Sequence, residues 1–189
     1  WYMVSSGLVD RVDVSHFRLS IHLIIAFVII SLILWNYFTL KFENNFNDSL
    51  NIFLPFIFLL LIYFQIVIGA FVSGMDAGQI YNSWPLMGSN FFPDDNRYIN
   101  LFKISAFSDP SLVQFMHRNL AYLIFIFYLL ILVVVYKNNH FSLFKVTKII
   151  GFILIVQIIL GILTLLSGAQ MILSSMHQIS SIFLVSSSI

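Results

Sequence analysis

Cysteine is absent from the 189 residues, and charge is scarce: nine Lys and Arg and eight Asp and Glu, 9% of the chain. Without Cys there are no disulfides, thiolate metal sites or iron–sulfur clusters within these residues. Soluble domains carry about 25% charged residues. So few charges cannot cover a water-facing surface for a chain of this length, which excludes an ordinary soluble globule. A formal net charge of +1 excludes a nucleic-acid binder, and a 60% hydrophobic composition excludes a disordered chain. What remains is a polytopic membrane protein, consistent with a mean hydropathy of +0.96.

A helix needs about 20 mostly apolar residues to cross a bilayer core of roughly 30 Å. Five runs meet or approach this: 20–40, 52–75, 112–136, 146–167 and 172–189. None has an acid or base in its middle. The runs are continuous and lack the alternation of a membrane barrel, so an all-α transmembrane bundle of five spans is expected. Pro55 falls in the first turn of the second span or kinks it early. The chain opens on Trp1-Tyr2-Met3 and closes inside an apolar run, and is read as a fragment of a longer membrane protein. A long segment, 76–111, joins the second and third spans. Loops of that length carry a function or local structure of their own. Lys41, Lys137, Lys145 and Lys148 lie on the side opposite this long loop, which favours that opposite side as cytoplasmic or matrix and the long-loop side as outer. The chain also echoes itself. Gln65-Ile-Val-Ile-Gly69 resembles Gln157-Ile-Ile-Leu-Gly161, and residues 1–7 can be laid over 162–168, each followed by a span with a His near its start.

His140 reads as a solvated loop residue and His16 as interfacial and unliganded. His22, His117 and His177 form a pattern, each near the start of the first, third and fifth spans. At about 1.5 Å rise per residue their depths differ by about 5 Å, on spans that run the same way. Ionisable groups at membrane depth are functional by default. With no Cys, and no Asp or Glu in the spans, zinc and hard-cation sites are poorly supplied. Facing imidazoles suit haem iron, and a bundle accommodates a flat macrocycle. Arg118, Arg11 and Arg18 are candidates to meet anionic propionates, and Gln114, one turn before His117, is a candidate to orient its ring. The small residues around Gly69 to Gly78 and Gly161 to Ser167 allow close helix or macrocycle approach.

Several segments resemble the haem A synthase family, in its proteobacterial and mitochondrial branch. They are Trp1 to Leu8, Asp13 to Leu23, Gln65 to Gly74, Tyr81-Asn-Ser-Trp-Pro-Leu-Met87, Gln114-Phe-Met-His-Arg118, Gln157 to Leu166 and His177-Gln178, in family order along the whole chain. The resemblance implies eight membrane helices in two pseudo-symmetric four-helix halves. Residues 1–50 would then end the N-terminal half, and 51–189 would form the C-terminal half, within one transmembrane domain. It implies oxidation of the haem O methyl group to a formyl, giving haem A for cytochrome oxidase. It also implies a haem b cofactor on His117 and His177, and substrate haem in the half that holds His22. The catalytic acid or base is unassigned, because a Glu-x-x-His-Arg span would lie upstream of these residues; Gln114 stands at the matching place before His117. Implied partners are haem O, an electron acceptor, the haem O-forming farnesyltransferase, oxidase assembly factors, membrane lipid and a second copy in a homo-oligomer. The location implied is a bacterial plasma membrane or mitochondrial inner membrane. A b-type cytochrome subunit, carrying electrons without modifying haem, shares the histidine placement. A transporter or assembly scaffold whose His residues only bridge helices is a third reading.

Overall fold

The computed structural model describes residues 14–41 and 51–189. Among the described residues five α-helices carry the fold: α1 (His16–Lys41), α2 (Phe53–Gly74), α3 (Pro110–Lys137), α4 (Phe141–Leu166) and α5 (Met171–Ser188). The expected spans and these helices agree to within a turn or so. The first starts four residues earlier than its apolar run because His16 to Leu19 continue the helix, and α4 starts at Phe141 because Lys145 and Lys148 are accommodated at its polar end. Pro55 sits in the first turn of α2, where its missing N–H costs nothing.

α1 to α4 are long and apolar enough to cross a membrane, and the protein is a multi-pass membrane protein. α5 was expected to be a fifth such span. It is an 18-residue helix, but serine occupies 174, 175, 180, 181 and 186–188, which lowers its apolarity below that of its neighbours. Among the described residues four helices, not five, meet the membrane-spanning criterion.

α2 and α3 form one antiparallel pair, α4 and α5 a second, and α1 packs along α2 and touches α5. Phe58, Ile62, Ile66 and Ala70 recur every four residues on one face of α2 and are buried. They meet Phe27, Ile124, Tyr128, Leu154, Leu184 and Val185, so every helix contributes to one core. Large apolar side chains also cover the outer surface, among them Ile29, Leu32 and Ile33 of α1 and Phe152 of α4. In lipid such exposure carries no penalty, so packing and hydrogen bonds hold the helices together. Tyr63 bridges α2 to α1, with its hydroxyl 2.6 Å from Ser31 Oγ and donating to the Phe27 carbonyl. Tyr128 bridges α3 to α4, donating to the Thr147 carbonyl at 3.1 Å. Gly151 lies directly under that hydroxyl, where a side chain would collide.

The long connection from α2 to α3 is folded. It contains three short 3₁₀ turns, Ala77–Gln79, Tyr98–Phe102 and Ile104–Ser108, a cis Trp84–Pro85 bond, and a small core in which Phe92 and Ala106 pack with Leu112 of α3. Asp109 caps α3, accepting from the Leu112 N–H at 3.1 Å, with Pro110 at the first helical position.

Candidate functional site

An amide in the middle of an apolar helix must find a polar partner. In α2 that amide is Gln65. Its Nε2 donates to the His117 carbonyl at 3.0 Å and faces His117 Nε2 at 3.2 Å. A carbonyl only accepts, so the amide nitrogen rather than its oxygen is turned to α3. Its second N–H meets the ring, so Nε2 of His117 carries the lone pair and Nδ1 the proton. One turn along α2, Gly69 leaves room for the ring. A Cβ there would stand 3.1 Å from His117 Cε1.

The second helix pair repeats the arrangement. His177 Nδ1 donates to the Gln157 backbone carbonyl at 3.1 Å, and the Gln157 side-chain Nε2 lies 3.5 Å from His177 Nε2. Donation from Nδ1 again leaves the lone pair on Nε2. Gly161, one turn further along α4, makes room for this ring, and a Cβ there would be 3.0 Å from His177 Cε1. His117 and His177 are the eighth and seventh residues of their helices.

At the two rings three buried polar atoms have no hydrogen-bond partner in the protein: His117 Nδ1, Gln65 Oε1 and Gln157 Oε1. Buried polar atoms are normally paired. A cluster of them beside two imidazoles marks a place built to hold a polar or metal-bearing group.

The long loop closes this end of the bundle. Arg118 donates from Nη1 to the Ser83 and Leu86 carbonyls at 2.8 and 3.3 Å, and from Nη2 to the Tyr81 carbonyl at 2.8 Å. Gln114 Nε2 donates to the same Tyr81 carbonyl at 3.1 Å, and Trp84 Nε1 to the Tyr122 hydroxyl at 3.1 Å. Asn82 Nδ2 donates to the Leu165 carbonyl at 2.9 Å, which fastens the loop to the end of α4. Asp95 accepts from the Tyr81 and Ser111 hydroxyls at 3.0 and 2.6 Å. Burial, and then the hydrogen bond to Asp95, raise the pKa of the Tyr81 hydroxyl, so it remains the donor. Asp94 accepts from the Ser89 N–H and from Asn90, and these bonds hold its carboxyl below the ordinary range.

The expected site residues therefore separate. His117 and His177 each lie against the Gln–Gly step of a neighbouring helix. Gln114 does not orient the His117 ring, because its amide is drawn to Tyr81 by the fold of the loop; Gln65 holds the ring instead. Arg118 borders the site, but its two terminal nitrogens bond loop carbonyls, and only its buried Nε lacks a partner. His22 is the seventh residue of α1, exposed, and is not brought to the pair. Among the described residues no three His or acidic side chains converge as a metal site. Arg18 stands in the first turn of α1, one turn before His22. Arg11 lies outside the described residues, as does the Trp1 to Gly7 segment of the internal echo. His16 begins α1 and packs edge-on against Phe71, its Nε2 buried and unpartnered. His140 stands at the start of α4. Gly69 and Gly161 stand where close approach was expected, whereas Gln65 and Gln157 are the site residues to which the sequence reading gave no role. The signal was there, in the repeated Gln-x-x-x-Gly step within apolar helices.

Apolar membrane-length helices with two imidazoles, each backed by a Gln–Gly step of a neighbouring helix, define a polytopic helical membrane protein with a paired-histidine site. The family model COX15-CtaA, described as cytochrome oxidase assembly protein, matches residues 1–189, and the chain belongs to that family. It is 48% identical over 191 residues to a heme A synthase of Pelagibacter ubique (strain HTCC1062), covering 99% of this chain and 55% of that protein. Heme A synthases of Rickettsia felis and Rickettsia bellii (strain OSU 85-389) are 39% and 42% identical, each over 98% of this chain and 56% of their own length. The chain thus spans little more than half the length of these curated relatives. No solved structure matches it.

Proposed function

We propose that this chain is the C-terminal half, with the last helix of the N-terminal half, of a haem A synthase that oxidises the haem O methyl group to a formyl. The observation that carries this reading is the pair of Gln–Gly-backed imidazoles amid buried polar atoms that lack partners; iron on His117 would take the Nε2 lone pair that the Gln65 amide meets here. That donor set suits a haem b held by His117 and His177. It does not suit zinc, which takes four ligands. A haem b held by His117 and His177 would supply one-electron transfer.

The protein's own residues do the rest. Gln65 and the Gln157 carbonyl hold the two rings. Gly69 and Gly161 let the rings sit close to the helix backbones. The folded loop, pinned by Arg118, Gln114 and Asn82, covers this end of the bundle against water. The names of the relatives support the reaction class, and the placement of His22 on an exposed face of α1, away from the pair, suits a separate substrate haem in the other half. On the charge distribution the paired site lies near the outer face of the membrane. Electrons leave to an acceptor, and the product serves cytochrome oxidase.

Reconstitution with hemin tests the cofactor assignment. A low-spin bis-imidazole spectrum is expected from the chain and is expected to be lost in both His117→Ala and His177→Ala; retention in both overturns it. Extraction of haem from membranes that also supply haem O tests the reaction. A formyl haem supports the synthase, whereas bound haem b with haem O unchanged supports the electron-carrying cytochrome.

A further inference from the structure

We infer that Gln65 and Gln157 are a matched pair of positioning residues that fix His117 and His177 in one tautomer, with the proton on Nδ1 and the lone pair on Nε2, and that Gln65 bears the larger share. The first part rests on the hydrogen bonds alone. Gln65 Nε2 is turned toward His117 because one of its N–H groups bonds the His117 carbonyl at 3.0 Å, so the other can only donate to the ring at 3.2 Å. His177 donates through Nδ1 to a backbone carbonyl that cannot donate in return.

The asymmetry follows from which atoms of each glutamine are used. On His177 the tautomer is set by the backbone oxygen of Gln157, and the side-chain amide stands back at 3.5 Å. A side-chain substitution at 157 leaves that backbone bond in place. On His117 no backbone group plays this part, and Nδ1 has no partner. Only the Gln65 side chain separates the two tautomers there. The use of this positioning in iron ligation rests on the haem reading above; the positioning itself does not, and the two are tested apart.

The first measurement needs no haem. Ring ¹⁵N spectra of histidine-labelled, haem-free protein in detergent are expected to show both rings as the Nδ1–H tautomer. Gln65→Leu is expected to turn His117 into a mixture of tautomers, while Gln157→Leu leaves His177 as it was. Gln114→Leu, which removes a nearby buried amide bonded to the loop and not to the ring, is expected to leave His117 unchanged. Equal disturbance of His117 by Gln114→Leu and Gln65→Leu, or a His117 indifferent to Gln65→Leu, overturns the proposal by reducing the amide to general packing. The second measurement is titration with hemin. Gln65 donates to the same His117 Nε2 lone pair that iron would take, so Gln65→Leu removes a competitor and is expected to bind hemin at least as tightly as the parent. Weaker hemin binding by Gln65→Leu overturns this placing of the lone pair. A protein that shows the tautomers but takes up no hemin sinks the haem reading and leaves the positioning pair standing.

Discussion

Gly161→Ala is a demanding test of the paired-histidine geometry, because two opposing effects can be sized. An added methyl would lie 3.0 Å from His177 Cε1, with Nδ1 and Nε2 at 3.5 and 3.7 Å. Ordinary carbon contacts begin near 3.4 Å, so the ring must recede by about 0.4 Å. That motion stretches the 3.1 Å bond from His177 Nδ1 to the Gln157 carbonyl to about 3.5 Å, past the useful range. Overpacking costs about 1–3 kcal/mol, and loss of one hydrogen bond adds about 0.5–1.5 kcal/mol. Against this, Ala improves on Gly in a helix interior by about 1 kcal/mol. The net expectation is a destabilisation of roughly 1–3 kcal/mol, with a His177 ring freed from its tautomer. Gly69→Ala, with its nearest ring contact at 3.1 Å, should behave in the same way but more mildly. Thermal unfolding in detergent measures the first effect and ring ¹⁵N shifts the second. The control is Gly168→Ala, where nothing lies within 4 Å and only a φ of +72° opposes a side chain; it should lose stability without touching the ring. A Gly161→Ala protein more stable than the parent, with His177 undisturbed, would refute the reasoning.

The loop and the cap of α3 give three further tests. Arg118→Lys replaces a planar donor that serves three carbonyls by a single ammonium, so the 81–86 segment should become accessible to limited proteolysis while the helices stay folded. Asp94 has its carboxyl pKa lowered in the fold, by the Ser89 N–H first and Asn90 next. Its contribution is therefore complete above the unfolded value of about 3.9 and is lost as pH falls through the lower folded value; the protection factor of the Ser89 amide, with intrinsic exchange divided out, should fall on acidification through that window and stay flat from pH 5 to 7. Asp109→Ala removes the acceptor for the Leu112 N–H and for the Asn96 amide, and should cost about 1 kcal/mol in thermal stability, with Asp109→Asn recovering part of it.

Much of this architecture could be read from the residues because lipid imposes simple rules. Continuous apolar runs located α1 to α4 to within a turn or so, and Pro55 and Asp109-Pro110 fit helix starts. His117 and His177 stood out because an imidazole in such a run has few bland explanations. What the residues could not convey was which helix face meets which. Gln114 is one turn from His117 on the same helix and looked like its orienter, yet the amide that reaches the ring comes from Gln65, 52 positions away. Arg118 looked like an anion ligand, and its terminal nitrogens bond carbonyls that exist only because the loop folds back over α3. Seven serines interrupt α5, so its apolar residues come in short groups and not in the continuous run that marks α1 to α4.

Asn82 has a mechanical consequence. Its amide nitrogen spans the Gly78 and Leu165 carbonyls, so a connection belonging to the first helix pair is buckled onto the last turn of α4. The separation of the two imidazoles is thereby governed from the polar boundary as well as from the apolar interior. Lengthening or shortening residues 79–81 would act as a turnbuckle on the spacing of the two helix pairs without altering a single residue inside the bilayer.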